Sequence, residues 1–122
     1  MTAFISGHLD LTIEEFGEHY VPKLWNVIAD HVPVVVGDAP GADAMAQQYL
    51  LGAGHKNVVV YHMFTSPRNN AGFPTVGGYA SDRERDEAMT KASTIDIAWV
   101  RPGREKTGTA ENLARRQRYG AG

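Results

Sequence analysis

Short runs of branched apolar residues alternate along this chain with longer stretches whose apolar positions recur at helical spacing. Residues 2–6 (TAFIS), 32–37 (VPVVVG), 57–64 (NVVVYHMF) and 94–100 (TIDIAWV) are short and mostly apolar, the pattern of strands buried on both faces. After the first run, Thr12 and Glu15 stand three apart as a capping box, so a helix starts there. Pro22 interrupts it and predicts either a kink or two consecutive helices, with Leu24, Trp25, Val27 and Ile28 as the apolar face. Residues 41–54 form a helix with Gly52 and Gly54 as candidate C-caps, and 81–93 form another with Ser81 as its N-cap. A closing helix starts near Thr109 and is stopped by Gly120. Two loops remain: 65–80, rich in Gly, Pro and Asn, and 101–108. A loop as long as 65–80 in so small a domain points to function or disorder. Tyr61, Trp99 and Trp25 are assigned to the core, while Phe73 and Tyr79 in the long loop are placed to cover a purine ring.

Four apolar strands alternating with helices mean an α/β sandwich with a mainly parallel sheet. The chain of 122 residues fits one domain, 1–122, without internal repeat or linker. Ligands of such sheets bind outside the carboxyl ends of the strands. That rule selects Ser6-Gly7-His8, Gly37 to Asp43, Met63 to Arg68, and Arg101 to Thr109, and glycines cluster at three of these four exits.

Composition narrows the chemistry. There is no cysteine, which excludes disulfides, thiolate metal sites and a cysteine nucleophile, and fits a cytoplasmic protein. No apolar run approaches the roughly 20 residues of a membrane span, so no membrane partner is expected, and the N-terminus has no secretory pattern. The net charge of −2 gives no bulk attraction to nucleic acid. Six of the twelve Lys and Arg residues nevertheless fall in the last 22 positions, where Arg115, Arg116 and Arg118 serve either an anionic ligand or a solvated helix face. Five histidines show no paired ligand spacing, so no metal is expected. Ser6 has no recognisable His and Asp support for nucleophilic chemistry.

The glycines are the sharper signal. A glycine lets a ligand approach the backbone, and a helix N-terminus offers free N–H groups and the positive end of a dipole. Gly41 and Gly108 both stand where a strand-exit loop becomes a helix, and Thr109 adds a hydroxyl. Two such helix starts side by side would cradle a phosphate. Neither loop matches a P-loop or the full G-x-G-x-x-G fingerprint, which argues against a nicotinamide enzyme, and no cofactor is expected. Asp38 and Asp43 are candidates for ribose hydroxyls, with helix capping the simpler role of Asp43. Arg68 could clamp a phosphate from the long loop. His8 either hydrogen-bonds a ligand or lies in a solvent-facing turn. Arg85 either reaches a phosphate or pairs with Asp82 or Asp86.

Four blocks in order resemble the SLOG superfamily, Rossmann-like domains related to the LOG phosphoribohydrolases and to the DNA-processing DprA proteins. They are SGHLDLT, GDAPGADAMA, RERDEAM leading into DIAWV, and GTAENLARR. The resemblance implies a Rossmann-like three-layer fold and a nucleotide-type pocket formed by Gly7, Gly37, Gly41, Asp43, Arg85, Gly108 and Thr109. It also implies a homodimer. The LOG motif P-G-G-x-G-T-x-x-E is altered here. Pro102-Gly103 are separated from Gly108-Thr109, and Asn112 stands where the motif has its Glu, beside Glu111. An amide cannot carry a proton as a carboxylate does. The leading expectation is therefore binding of a nucleotide or nucleotide-derived ligand. The alternatives are an N-glycosidase on a nucleoside 5′-monophosphate, with Arg85 and Glu111 as its charged pair, and a DprA-like nucleic-acid module.

Overall fold

A computed structural model describes residues 1–119; Gly120, the expected stop of the last helix, lies outside the described residues. The elements are β1 (Ala3–Ile5), α1 (Ile13–His19), α2 (Val21–Ala29), β2 (Val34–Gly37), α3 (Ala42–Gly52), β3 (Val58–Met63), β4 (Thr75–Tyr79), α4 (Asp82–Ala92), β5 (Ile95–Ile97) and α5 (Gly108–Tyr119). The fold is α/β and Rossmann-like. Five strands make one sheet in the order β4-β3-β2-β1-β5, every pairing parallel.

Alternation along the strands divides the core into two layers. Ala3, Ile5, Val34, Val36, Val58 and Val60 pack with Phe16, Leu24, Ala46 and Leu50 of the first three helices. Phe4 and Val35 face the other way and pack against Met89 of α4. Both faces of the sheet are covered, which explains why its strands read as continuous apolar runs.

The sheet has one strand more than the sequence pattern indicates. β4 lies inside the expected 65–80 loop as an exposed edge strand, with two glycines among its five residues and a register irregularity against β3 between Tyr61 and Met63. Glycine and exposure together erase the hydrophobic signature of a strand. The rest of that loop is sewn down. The Gln47 amide donates to Gly37 O and Asn69 O at 3.0 and 3.2 Å and accepts from Ala71 N–H at 2.9 Å. Phe73 is buried in the core, and Tyr79 stacks on Tyr61 with ring centroids 6.0 Å apart. Neither aromatic covers the strand exits.

Thr12 makes both bonds of its capping box with Glu15. Of the two outcomes expected at Pro22, the structure has consecutive helices: α1 ends at Tyr20, and Pro22 sits in the first turn of α2, where its missing N–H costs nothing. Trp25 is not in the core. Leu24 and Val27 point inward, and Trp25, 63% exposed, is turned onto the outer face and hydrogen-bonds Tyr49 Oη.

The chain lays down β1, β2, β3 and β4 in one direction and then returns through α4 to put β5 on the far side of β1. Two neighbouring strand exits, those of β1 and β5, thereby diverge and leave a crevice. Tyr20 holds that point together. It is fully buried, and its hydroxyl donates to Ser6 O at 2.7 Å and accepts from Trp99 N–H at 3.2 Å. Burial pushes its phenol pKa up to about 12. Tyr20→Phe removes both bonds with almost no change in shape and should cost about 1–3 kcal/mol in denaturant-melt stability.

Candidate functional site

A cleft of about 330 Å³ opens at this divergence. Ser6, Gly7, His8 and Leu9 line it from the β1 exit, Ala39 and Asp43 from the β2 exit and α3, and Asp82, Arg85 and Asp86 from α4. Arg104, Thr107, Gly108, Thr109 and Asn112 line it from the β5 exit and α5, and Arg68 reaches it from the loop after β3. Of the twelve residues expected to form a site, eight meet here: Ser6, Gly7, His8, Asp43, Arg68, Arg85, Gly108 and Thr109. Gly37, Asp38, Gly41 and Glu111 do not line it.

Each of these four has a physical reason. Gly41 has φ +76°, and a side chain there would run into the backbone carbonyls of His8 and Leu9. The next amide, Ala42 N–H, donates to His8 O at 3.1 Å. The start of α3 is thus pressed against the β1 exit, with its Ala42 amide taken and Gly41 outside the cleft lining. Gly37 makes room for side chains: a Cβ there would fall 2.9 Å from Arg85 Cζ and against the Asp43 carboxylate. Asp38, 1% exposed, accepts bonds from Arg68 and Arg85 behind the cleft wall. Glu111 is exposed, and Asn112, 2% exposed, is the residue of α5 that faces inward. Asn112 stands three after Thr109, so the two share a helix face and Glu111 is rotated off it.

The start of α5 is built differently from that of α3. The Thr107 side chain accepts from Ala110 N–H and its carbonyl accepts from Glu111 N–H, so Thr107 caps the helix. The amides of Gly108 and Thr109 make no hydrogen bond within the described residues, and both residues line the cleft. The loop that carries this start is pinned to α1. Arg101 forks onto Glu15 at 2.7 and 2.8 Å and also reaches Asp10, and Arg104 meets Asp10 at 3.4 Å. The Arg101 bonds, helped by Thr12 N–H, hold the Glu15 carboxyl at about 2. One glutamate therefore caps α1 and anchors the second cleft loop.

Arg101 N–H also donates to His8 Nε2 at 2.8 Å. A backbone amide can only donate, so Nε2 is the acceptor and the neutral ring carries its proton on Nδ1. Burial first, then the charges of Arg101 and Arg104, lower the His8 pKa. His8 is 3% exposed, so it is no solvent-facing turn residue but a neutral Nδ1–H donor in the cleft wall.

Arg85, 5% exposed, spreads its donors over three carboxylates. Nη1 lies 2.8 Å from Asp38 and 3.0 Å from Asp82, while Nε and Nη2 reach Asp86 at 3.0 and 2.8 Å. Asp86 also accepts from Asn112, whose carbonyl accepts from buried Arg115. Arg68 grips Asp38 bidentately at 2.9 and 3.2 Å and bridges to Asp82. Burial would raise the Asp38 pKa, but the Arg68 bonds bring it down to about 2. Arg116 is likewise turned inward, onto Asp96 and the end of α4. Two of the three clustered basic residues of α5 are thus spent inside the fold.

Asp43 is the exception among the acids. Among the described residues its carboxylate accepts one hydrogen bond, from Ala39 N–H at 3.2 Å, so it ties the turn that precedes α3 and stands in the first turn of the helix without accepting from a helix amide. Burial pushes its pKa up to about 7, against the pull of Arg85 and with the repulsion of Asp86 and Asp38. The strand-exit rule spans Arg104 and Thr107 without giving either a role, and it leaves Asp86 as a partner of Arg85 rather than a lining residue. The Ser/Thr preference at helix N-caps was signal enough for Thr107; nothing local marks Arg104.

Comparison with protein-family models, curated proteins and solved structures returned no match. The site therefore has to be read from its own chemistry.

The raised pKa of Asp43 has a consequence for stability. Folded Asp43 keeps a proton up to about pH 7, whereas the unfolded chain releases it above its ordinary 3.8. Stability should decline as pH rises from about 4 to about 7 and then level off, by up to about 4 kcal/mol at roughly 1.4 kcal/mol per pKa unit. Asp38 acts with opposite sign, its contribution being lost only as pH falls below 3.8 toward 2. Thermal melts of wild type and Asp43→Asn from pH 4 to 8 should show the decline in wild type alone. Arg85→Met takes a guanidinium from two mostly buried carboxylates, leaving Asp38 with Arg68 and Asp86 with Asn112, and should cost about 3 kcal/mol in thermal or denaturant melts.

Proposed function

We propose that this protein binds a nucleotide or nucleotide-derived ligand in the cleft, as a SLOG-type domain. The phosphate sits on the start of α5 alone, and the sugar and base extend toward Asp43. The carrying observation is the pair of uncommitted amides of Gly108 and Thr109 at the divergence of β1 and β5. Two adjacent N–H groups at the end of a helix dipole, with a Thr hydroxyl and a guanidinium nearby, favour a dianionic oxygen cluster. Arg104 is that guanidinium; its side chain is 43% exposed and, among the described residues, bound only at 3.4 Å to Asp10. A sugar next to the phosphate offers hydroxyls that donate to carboxylates and accept from the His8 Nδ1–H. The cleft volume falls at the small end of ligand sites, about 300–1,000 Å³, which suits a mononucleotide better than a dinucleotide.

The N-glycosidase reading based on Arg85 and Glu111 gains no support from this geometry, because Glu111 is exposed and the Arg85 donors are taken by carboxylates. The DprA-like reading is weakened in the same way by the inward Arg115 and Arg116.

Gly108 provides a clean test. It is the first residue of α5, and nothing lies within 4 Å of a Cβ added there. Proline is accepted at a first helical position and removes only the N–H. Ligand-induced thermal shift across nucleoside 5′-monophosphates should show binding by wild type and Gly108→Ala, with Gly108→Pro weaker by tenfold or more. Equal affinities for Ala and Pro, or no shift with any nucleotide, would remove the phosphate from α5.

A further inference from the structure

We infer that His8 is the positioning residue of the α5 anion site: its neutral ring holds the loop that carries the site, and a proton on Nε2 releases that loop and weakens phosphate binding. The inference rests on the proposed phosphate site at the start of α5 and adds its regulation by acid.

A continuous run of hydrogen bonds joins the His8 ring to that helix start. Nε2 accepts from Arg101 N–H at 2.8 Å, Arg101 O accepts from Arg104 N–H at 2.9 Å, and Arg104 O accepts from the Thr107 hydroxyl at 3.0 Å. The same hydroxyl oxygen accepts from Ala110 N–H and so caps α5 beside Gly108 and Thr109. His8 itself is fixed. Its carbonyl accepts from Leu11 N–H and Ala42 N–H at 3.3 and 3.1 Å, and its ring meets Trp99 edge to face.

Protonation turns both ring nitrogens into donors. Nε2–H then faces Arg101 N–H across a distance set for one proton, and a new cation stands near Arg101 and Arg104. Burial, then those two charges, lower the His8 pKa from its ordinary 6.5, against the pull of Asp10 and Glu15. The loop has to yield, because His8 is held from behind by the β1 exit and the start of α3. The other ties of the loop run through the long Arg101 and Arg104 side chains to Glu15 and Asp10, whose rotatable bonds let the Arg101 backbone shift. The Arg101 bonds hold Glu15 at about 2, and Asp10 is lowered by Arg104 and Arg101 against its desolvation, so both ties are still in place at pH 5. The remaining ionisable groups around this corner are His19, stacked on Trp99 at 3.9 Å, Tyr20 under Ser6, Asp43 on the α3 wall, and Arg68, Asp82, Arg85 and Asp86 across the cleft. Among the described residues, only Arg101 N–H bonds His8 Nε2.

The test follows three quantities from pH 4 to 8: the nitrogen chemical shifts of the His8 ring, hydrogen exchange of the Arg101 amide, and the affinities of adenosine 5′-monophosphate, guanosine 5′-monophosphate and inorganic phosphate. Unliganded wild type should show the Nδ1–H tautomer at pH 8 and a ring that charges on the acid side of 6.5, with protection of the Arg101 amide lost in step. Affinity is present above the His8 midpoint and is lost as pH falls through it, by about tenfold one pH unit below. His8→Gln places an acceptor that does not titrate near the Nε2 position. It should bind more weakly at pH 8 for want of the Nδ1–H, yet lack the acid-side fall. His8→Phe has no acceptor and should bind at least tenfold more weakly than His8→Gln. A phosphate ester takes up its own proton near about pH 6, and Asp43 changes charge near about 7. Both act on every variant, so each wild-type affinity is divided by the His8→Gln value at the same pH. A ratio level to pH 4, a ring neutral to pH 4, or His8→Phe binding as well as His8→Gln overturns the positioning role and leaves the site standing. Should neither variant fold, loss of Arg101 protection at the His8 midpoint supports the role, and protection that persists through it ends it. No binding of any of the three probes at any pH overturns the α5 site and this inference together.

Discussion

The Arg85 guanidinium lies against the Cα of Gly37 with its donors divided among Asp38, Asp82 and Asp86. A buried cation in this position is tolerable only while its partners remain, since removing one side of a buried pair leaves an uncompensated charge. The partners come from the β2 exit and from α4 itself, so the pairing ties α4 to the sheet at the level of the strand ends. Arg68 extends the lock to the loop after β3, and Asn112 with Arg115 extends it to α5. The β2 exit, α4, the loop after β3 and α5 are tied into this one network, while the loop after β5 is held separately by Arg101 and Arg104 on Glu15 and Asp10.

The β1 exit is held by other means. Tyr20 joins it to β5 through Ser6 O and Trp99 N–H, and Arg101 N–H meets the His8 ring. The start of α3 is closed against it by the Ala42 N–H bond. These contacts take the Ala42 amide at the start of α3, whereas the amides of Gly108 and Thr109 at the start of α5 make no hydrogen bond among the described residues. Asp43, whose carboxyl burial holds protonated to about pH 7, lines the cleft from the α3 side.

Much of this was readable before any coordinates. The four apolar runs, the Thr12–Glu15 box, the break at Pro22 and the Ser81 cap are all local patterns, and each became the element or cap it implied. The rule that ligands bind at strand exits brought eight of twelve nominated residues to one cleft. β4 escaped because an edge strand with two glycines has no buried face to leave an apolar trace. Trp25 was misassigned because a large apolar residue next to the buried stripe looks like part of it, although one residue of helix turns it by about 100°.

What the chain encodes locally is therefore the series of strands, helices and caps, and the exits at which chemistry must lie. Hydrogen bonds and hydrophobic spacing within a dozen residues are sufficient for that. The tertiary structure alone decided how each exit is used. Gly37 serves the Arg85–Asp43 packing rather than a ligand, Gly41 serves a close passage of β1, and Asn112 rather than Glu111 faces inward. These outcomes depend on contacts between residues thirty to a hundred positions apart, such as Arg85 with Asp38 and Arg101 with His8. A charge spends its hydrogen bonds on the neighbours the fold supplies, and those neighbours are not written beside it in the sequence.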